Sequence, residues 1–147
     1  MTLSTYDGAP TTNDILILAL IKSSDLLEDI EFWTDGGGEG GALNVGLCTA
    51  DMTNNAISLA IVNVDLFASA QATGTPIAYD ARISLFDEAA TLDDVMDRGK
   101  TLWALAALGG TSYTEDPGKT FAICAFPSTT VDAANEMGFR VSYVAGD

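Results

Sequence analysis

The sequence predicts a mainly β protein, an antiparallel β-sandwich of jelly-roll-like type with two or three short helices. Apolar residues recur at every second position in a series of short runs, which is the period of a strand with one buried face. Glycine-, proline- and asparagine-containing breaks separate those runs, as at 35–41, 51–55 and 73–76. Helical signals are confined to two short stretches, 91–98 and 101–108. At 147 residues the chain suits one domain able to bury about two-thirds of its unfolded surface.

Residues 1–12 are polar, contain Pro10 and show no period, so they read as a mobile N-terminal arm ahead of a single sandwich domain at 13–147. From Ile15 to Ile21 both alternating sets are apolar, which predicts a strand buried on two faces, central in its sheet or pressed against another subunit. A turn at 22–25 leads into 26–34, where Ile30 and Phe32 share one face while Asp29 and Glu31 share the other. The glycine-rich segment 35–41 is expected to be the flexible tip of a hairpin between that strand and the next, in which Leu43, Val45 and Leu47 alternate with Asn44, Gly46 and Cys48. Ile57, Leu59 and Ile61 suggest a short strand, and Asp65 suits the N-cap of a brief turn through 67–71.

Period two resumes at Ile77, Tyr79, Ala81, Ile83 and Leu85, with Asp80, Arg82 and Ser84 toward water. Thr91 with Asp93 and Asp94 resembles a helix start, and Gly99 a stop after Arg98. A second helix is expected at 101–108, stopped by Gly109. Two last strands fall at 121–126 and 138–144, the latter with Phe139, Val141 and Tyr143 inward and Arg140 and Ser142 outward.

Composition narrows the functional classes. The chain has no histidine, the usual acid–base and metal-ligating side chain near neutral pH. Its 21 carboxylates against 6 basic residues leave a formal charge of -15, which repels a phosphate backbone, so no direct nucleic-acid contact is expected. That imbalance also destabilises the compact state by self-repulsion, which salt relieves. Neither a signal peptide nor a membrane-length apolar run is read, so the chain is expected in the cytosol with no membrane partner. Cys48 and Cys124 read as buried reduced thiols.

The chemical motifs dissolve on inspection. Gly36, Gly38 and Gly41 satisfy a G-x-G-x-x-G count, but no helix follows to hold a pyrophosphate. Gly-Lys-Thr occurs at 99–101 and 118–120, yet Asp94 and Tyr113 stand where a P-loop needs its first glycine. Asp87, Glu88, Asp93, Asp94 and Asp97, or Asp35 with Glu39, offer oxygens to a hard cation without EF-hand spacing. No catalytic residue, cofactor or metal is assigned, and the chain is not expected to be an enzyme. Trp33, beside the glycine loop on the face of Asp29 and Glu31, is the aromatic best placed for contact, whereas Trp103 sits among core leucines.

Three stretches resemble a group of small tailed-bacteriophage proteins whose genes accompany the major capsid protein and which coat or complete the head. The first is the strand at 14–21, then 30–35, then Leu43-Asn44-Val45-Gly46-Leu47; the second is Asp65-Leu66-Phe67-Ala68-Ser69-Ala70. The third joins Leu102-Trp103, Leu108-Gly109, Asp116-Pro117-Gly118 and the terminal Tyr143-Val144. The resemblance implies a virion structural protein on the capsid exterior, assembled in the host cytoplasm. The implied role is a decoration or cement protein that bridges major capsid protein subunits, often as a homotrimer.

A tail, connector or head-fibre component is the alternative within the virion. A calcium-dependent carbohydrate-binding module using the acidic loops and Trp33 is the alternative outside it. For a cement role the expected contact residues are Thr2, Leu3, Tyr6 and Pro10 of the arm, Ile15 and Ile17 of the doubly apolar strand, and Trp33.

Overall fold

Among the described residues, eight antiparallel strands form two four-stranded sheets, and the strand order within each sheet is that of a jelly roll. The computed structural model describes residues 2–7, 9–36, 40–53, 56–85, 98–131 and 136–146. The strands are β1 (Thr2–Asp7), β2 (Leu16–Lys22), β3 (Leu26–Thr34), β4 (Ala42–Thr53), β5 (Ala56–Ala72), β6 (Ile83–Ser84), β7 (Thr120–Thr129) and β8 (Glu136–Val144). One sheet has the order β1-β8-β3-β6 and the other β2-β7-β4-β5. A 3-10 turn, Tyr79–Ala81, precedes β6, and among the described residues one helix, α1 (Leu102–Leu108), lies between β6 and β7.

The core forms where the two sheets face each other. Ile30 and Phe32 of β3 and Met137, Phe139 and Val141 of β8 meet Leu43, Val45 and Leu47 of β4 and Phe121, Ile123 and Ala125 of β7. These residues occupy every second position, so period two in the sequence becomes one buried face in space. Leu102, Leu105 and Ala106 of α1 close the same core. The helix ends at Gly109, whose N–H donates to the Leu105 carbonyl, as the sequence predicts.

Several expectations are corrected. The segment read as a mobile arm is largely a strand: β1 pairs along its length with β8, Thr2 opposite Val141 and Asp7 opposite Glu136. A polar segment without a period forms a strand because β8 offers it an open edge of backbone donors and acceptors. Of the two places read for β2, central in its sheet or pressed against another subunit, the first is corrected: among the described residues β2 lies at a sheet edge and pairs only with β7. The glycine loop does not close a hairpin: β3 and β4 belong to different sheets, so the chain crosses the sandwich there. Of the expected strand from Ile77 to Leu85, only Ile83–Ser84 pairs with β3 as a strand, while Ile77 makes an isolated bridge to Thr34. The helix expected at 91–98 falls almost wholly outside the described residues, as do Glu39 and the acids at 87–97.

The largest correction concerns 65–71, read as a turn capped by Asp65. These residues continue β5, which opposes the 12 residues of β4 with 17 of its own. The excess is taken up in bulges, the widest where Val45 pairs with Ala68 while Leu47 pairs with Asn63. Side chains satisfy the displaced backbone. Asn63 Oδ1 accepts from Asp65 N–H at 2.9 Å, and Asn44 Oδ1 accepts from Ala70 N–H at 2.8 Å. The bulge drives three consecutive residues, Leu66, Phe67 and Ala68, into the core, and such a run has no strand period to read.

Cys48 and Cys124 are fully buried and unbridged on neighbouring strands, in agreement with the sequence reading. Hydrogen bonding with the Cys48 thiol, and then burial, push the Cys124 thiol far above its ordinary value. Both thiols are enclosed in the sheet, and enclosure keeps reagent from either one. Native protein should therefore resist Ellman's reagent and release two equivalents of colour on unfolding in guanidinium. Rapid labelling of the native chain would show that the second sheet opens.

Candidate functional site

The two outer faces of the sandwich differ in kind. On the outer face of the β1-β8-β3-β6 sheet, Glu31 accepts hydrogen bonds from Arg82 Nε at 2.6 Å and from Arg140, its cross-strand partner. Asp29 beside it accepts from Ser84 Oγ at 2.6 Å, and Arg98 Nη2 donates to the same serine oxygen at 3.1 Å. Around Asp29 and Glu31 that face is polar, and its charges are tied to one another.

The outer face of the β2-β7-β4-β5 sheet is apolar. Alternation along β7 and β4 sends Ala122, Cys124 and Phe126, with Cys48 and Ala50, away from the core into a second cluster, against which Ile17 and Leu59 pack. The register extends this face onto the β4–β5 ribbon, where Cys48 pairs with Ile61, Ala50 with Leu59 and Met52 with Ile57. Met52, Ile57 and Ile61 are 64, 40 and 54% exposed, so the cluster continues into a solvent-facing apolar strip. Its border is β5, which among the described residues pairs with no strand on its outer side, and positions 56–64 carry no charged residue. Soluble sandwiches ordinarily blunt such an edge with charge, proline or a covering segment. A long apolar edge left open marks a contact surface.

The seven contact residues expected from the sequence do not form one patch. Thr2, Leu3 and Tyr6 lie in β1, opposite Val141, Arg140 and Met137. Pro10 is half-buried, and its carbonyl accepts from Val131 N–H at 3.2 Å. Ile17 belongs to the outer apolar cluster, and Ile15 is exposed just before β2. Trp33 lies in the other sheet. Sequence reasoning placed Ile57, Leu59 and Ile61 in a strand but missed that their side faces water; the available signal was the uncharged run at 56–64.

Trp33 is built into a corner. Its indole lies over Gly138, its cross-strand partner, and a Cβ there would overlap the ring. The Tyr79 ring meets it at 90° with centroids 5.1 Å apart. Thr34 and Ile77 exchange both backbone hydrogen bonds, at 3.1 and 2.8 Å, which holds the Tyr79 turn against the end of β3. Asp35 and Glu136 are locked side by side, since Asp35 N–H donates to the Glu136 carbonyl at 3.0 Å and Asp35 Oδ1 accepts from Glu136 N–H at 2.9 Å. Together with Ile77 these residues line an open cavity of about 260 Å³.

A second cavity of about 220 Å³ lies near Lys22, Lys119 and Asp116. There the Asp116 carboxylate accepts from Ser23 Oγ and, at 2.9 Å, from Gly118 N–H, and these bonds hold its pKa below the usual carboxylate range. The folded pKa lies below the unfolded one, so this carboxylate stabilises the fold above about pH 4 and stops doing so as pH falls through the depressed value. The stability difference between wild type and Asp116→Asn should accordingly be largest at neutral pH and shrink below it, as read by urea titrations from pH 6 to pH 3. A constant difference would refute the assignment.

Among the described residues, no group of three or more acidic or cysteine side chains gathers as a metal site, and no helix is long and apolar enough to cross a membrane. The chain matches no protein-family model, no curated protein and no solved structure. The jelly-roll sandwich is the class that the strand order defines, and that architecture serves capsid, lectin and enzyme domains alike.

Proposed function

We propose that the protein is a virion structural protein, a decoration or cement protein that bridges major capsid protein subunits on the outside of a tailed-bacteriophage head. The exposed apolar strip of Met52, Ile57 and Ile61 on the β4–β5 ribbon, beside an open β5 edge, carries this reading. Burying apolar surface is worth roughly 25 cal/mol per Å², and an open strand edge adds backbone pairing with register. Neither needs a catalytic group.

Charge favours a shell subunit over a second copy as the occupant of this face. Two copies pressed together there would bring two chains of -15 into contact, whereas a basic shell surface would attract one. The polar face, with Glu31 tied to two arginines, would then look outward to solvent. In the same reading copies gather as a homotrimer about a symmetry axis of the shell through other surfaces, where contacts with the shell offset their mutual repulsion, so modest individual attachments add through multivalency.

Cosedimentation with undecorated heads tests the proposal. Wild type should pellet with the heads, and Ile57→Asp combined with Ile61→Asp should abolish attachment while leaving the protein folded with a modestly lower melting temperature, because the two side chains are 40 and 54% exposed. Attachment that survives the double substitution would assign adhesion to another surface. Wild type that never pellets with heads would end the virion reading itself.

A further inference from the structure

We infer that the corner between Trp33 and Tyr79 is a binding site for a cationic group, the guanidinium or ammonium of a basic side chain on a partner. The inference is independent of the capsid reading, since it concerns the opposite sheet and a different chemistry.

Two aromatic rings at 90° form two walls of an open cavity. Stacking a sugar ring calls for a broad open platform, whereas rings set at 90° can turn the negative faces of their π-systems toward a compact charge in the corner between them. One ring of this corner already holds a cation: the Arg82 guanidinium carbon lies 5.1 Å from the Tyr79 ring centre, with Arg82 Nη1 donating to the Tyr79 carbonyl at 2.9 Å. Arg82 itself is committed to Glu31, so its charge is offset within the polar face.

The third wall is acidic. Asp35 and Glu136 line the cavity and are fixed beside each other by their reciprocal backbone and side-chain bonds, and no basic residue lines it among the described residues. A volume of about 260 Å³ falls below the roughly 300 Å³ where drug-sized pockets begin and suits a single long side chain. Tyr79 is 56% exposed, so the site opens to a partner. Gly138 makes the arrangement possible, because a Cβ there would overlap the indole ring and displace it.

The indole N–H resonance of Trp33, distinguished from that of Trp103 by a Trp103→Phe variant, reports on the site. Titration of the full chain with N-acetyl-arginine methylamide should move the Trp33 signal saturably in the millimolar range, and added sodium chloride should weaken the response. Tyr79→Ala and Glu136→Gln should each weaken binding roughly two- to fivefold, the scale of a cation–π or exposed charge contact. Both positions are exposed, so neither change removes core packing. No movement of the Trp33 signal, equal affinity in both variants, or a response to methyl glucoside rather than to the arginine compound would overturn the proposal.

Discussion

Gly46→Ala should destabilise the protein by about 3 kcal/mol or more, at the upper end of what overpacking a tight site costs. A Cβ at this position would collide with the Asn63 carbonyl oxygen and would approach the Val64 carbonyl carbon and oxygen to 2.5 and 2.6 Å. All of these atoms are backbone, so no side-chain rotation relieves the overlap. The β5 segment must move away, and it is the segment whose bulge places Leu66, Phe67 and Ala68 in the core. Urea unfolding would show the loss as a lower midpoint. Gly109→Ala is a suitable comparison, because its nearest contact is the end of the Leu66 side chain at 3.3 Å, which can yield. Equal stabilities for the two variants would mean that the β4–β5 bulge is not as tight as described.

Phe32→Ala should cost about 3–5 kcal/mol, the usual range for removing a fully buried phenylalanine. Phe32 sits directly across from Phe139, with ring centroids 5.1 Å apart and planes inclined at 42°. The pair joins the two central strands of its sheet and faces the opposite sheet, so truncation leaves a cavity that neither sheet closes alone. For a domain of this length the melting temperature should fall by about 10 °C or more. Phe139→Ala in the Phe32→Ala background should cost less than in wild type, since part of its packing has already gone. A loss below about 1 kcal/mol for Phe32→Ala would show that the core relaxes around the gap.

These two positions separate what was legible in the sequence from what was not. Phe32 was read correctly as inward from the alternation with Asp29 and Glu31, and the same logic placed Phe139, Val141, Leu43, Val45 and Leu47. Gly46 looked like an ordinary outward residue of its strand, because the backbone it must avoid lies 17 positions away and bulges only once β4 and β5 have paired. The contact surfaces divide in the same way. Trp33 and Asp35 are near neighbours in sequence, but nothing local announces that Tyr79, Glu136 and Gly138 complete a corner around them.

By itself, then, the sequence determined that the protein is a β-sandwich with a histidine-free, acidic surface, and which side of most strands is buried. Alternation and composition are local properties, readable without knowing any partner. Tertiary structure alone decided that residues 2–7 join a sheet, that β2 and β5 are edges, that an apolar strip of the β4–β5 ribbon is left exposed, and that an aromatic corner and two acidic residues line one cavity. Each of those depends on which backbone edge meets which across the fold, and hydrogen-bonding capacity along a strand is nearly the same whatever its residues are.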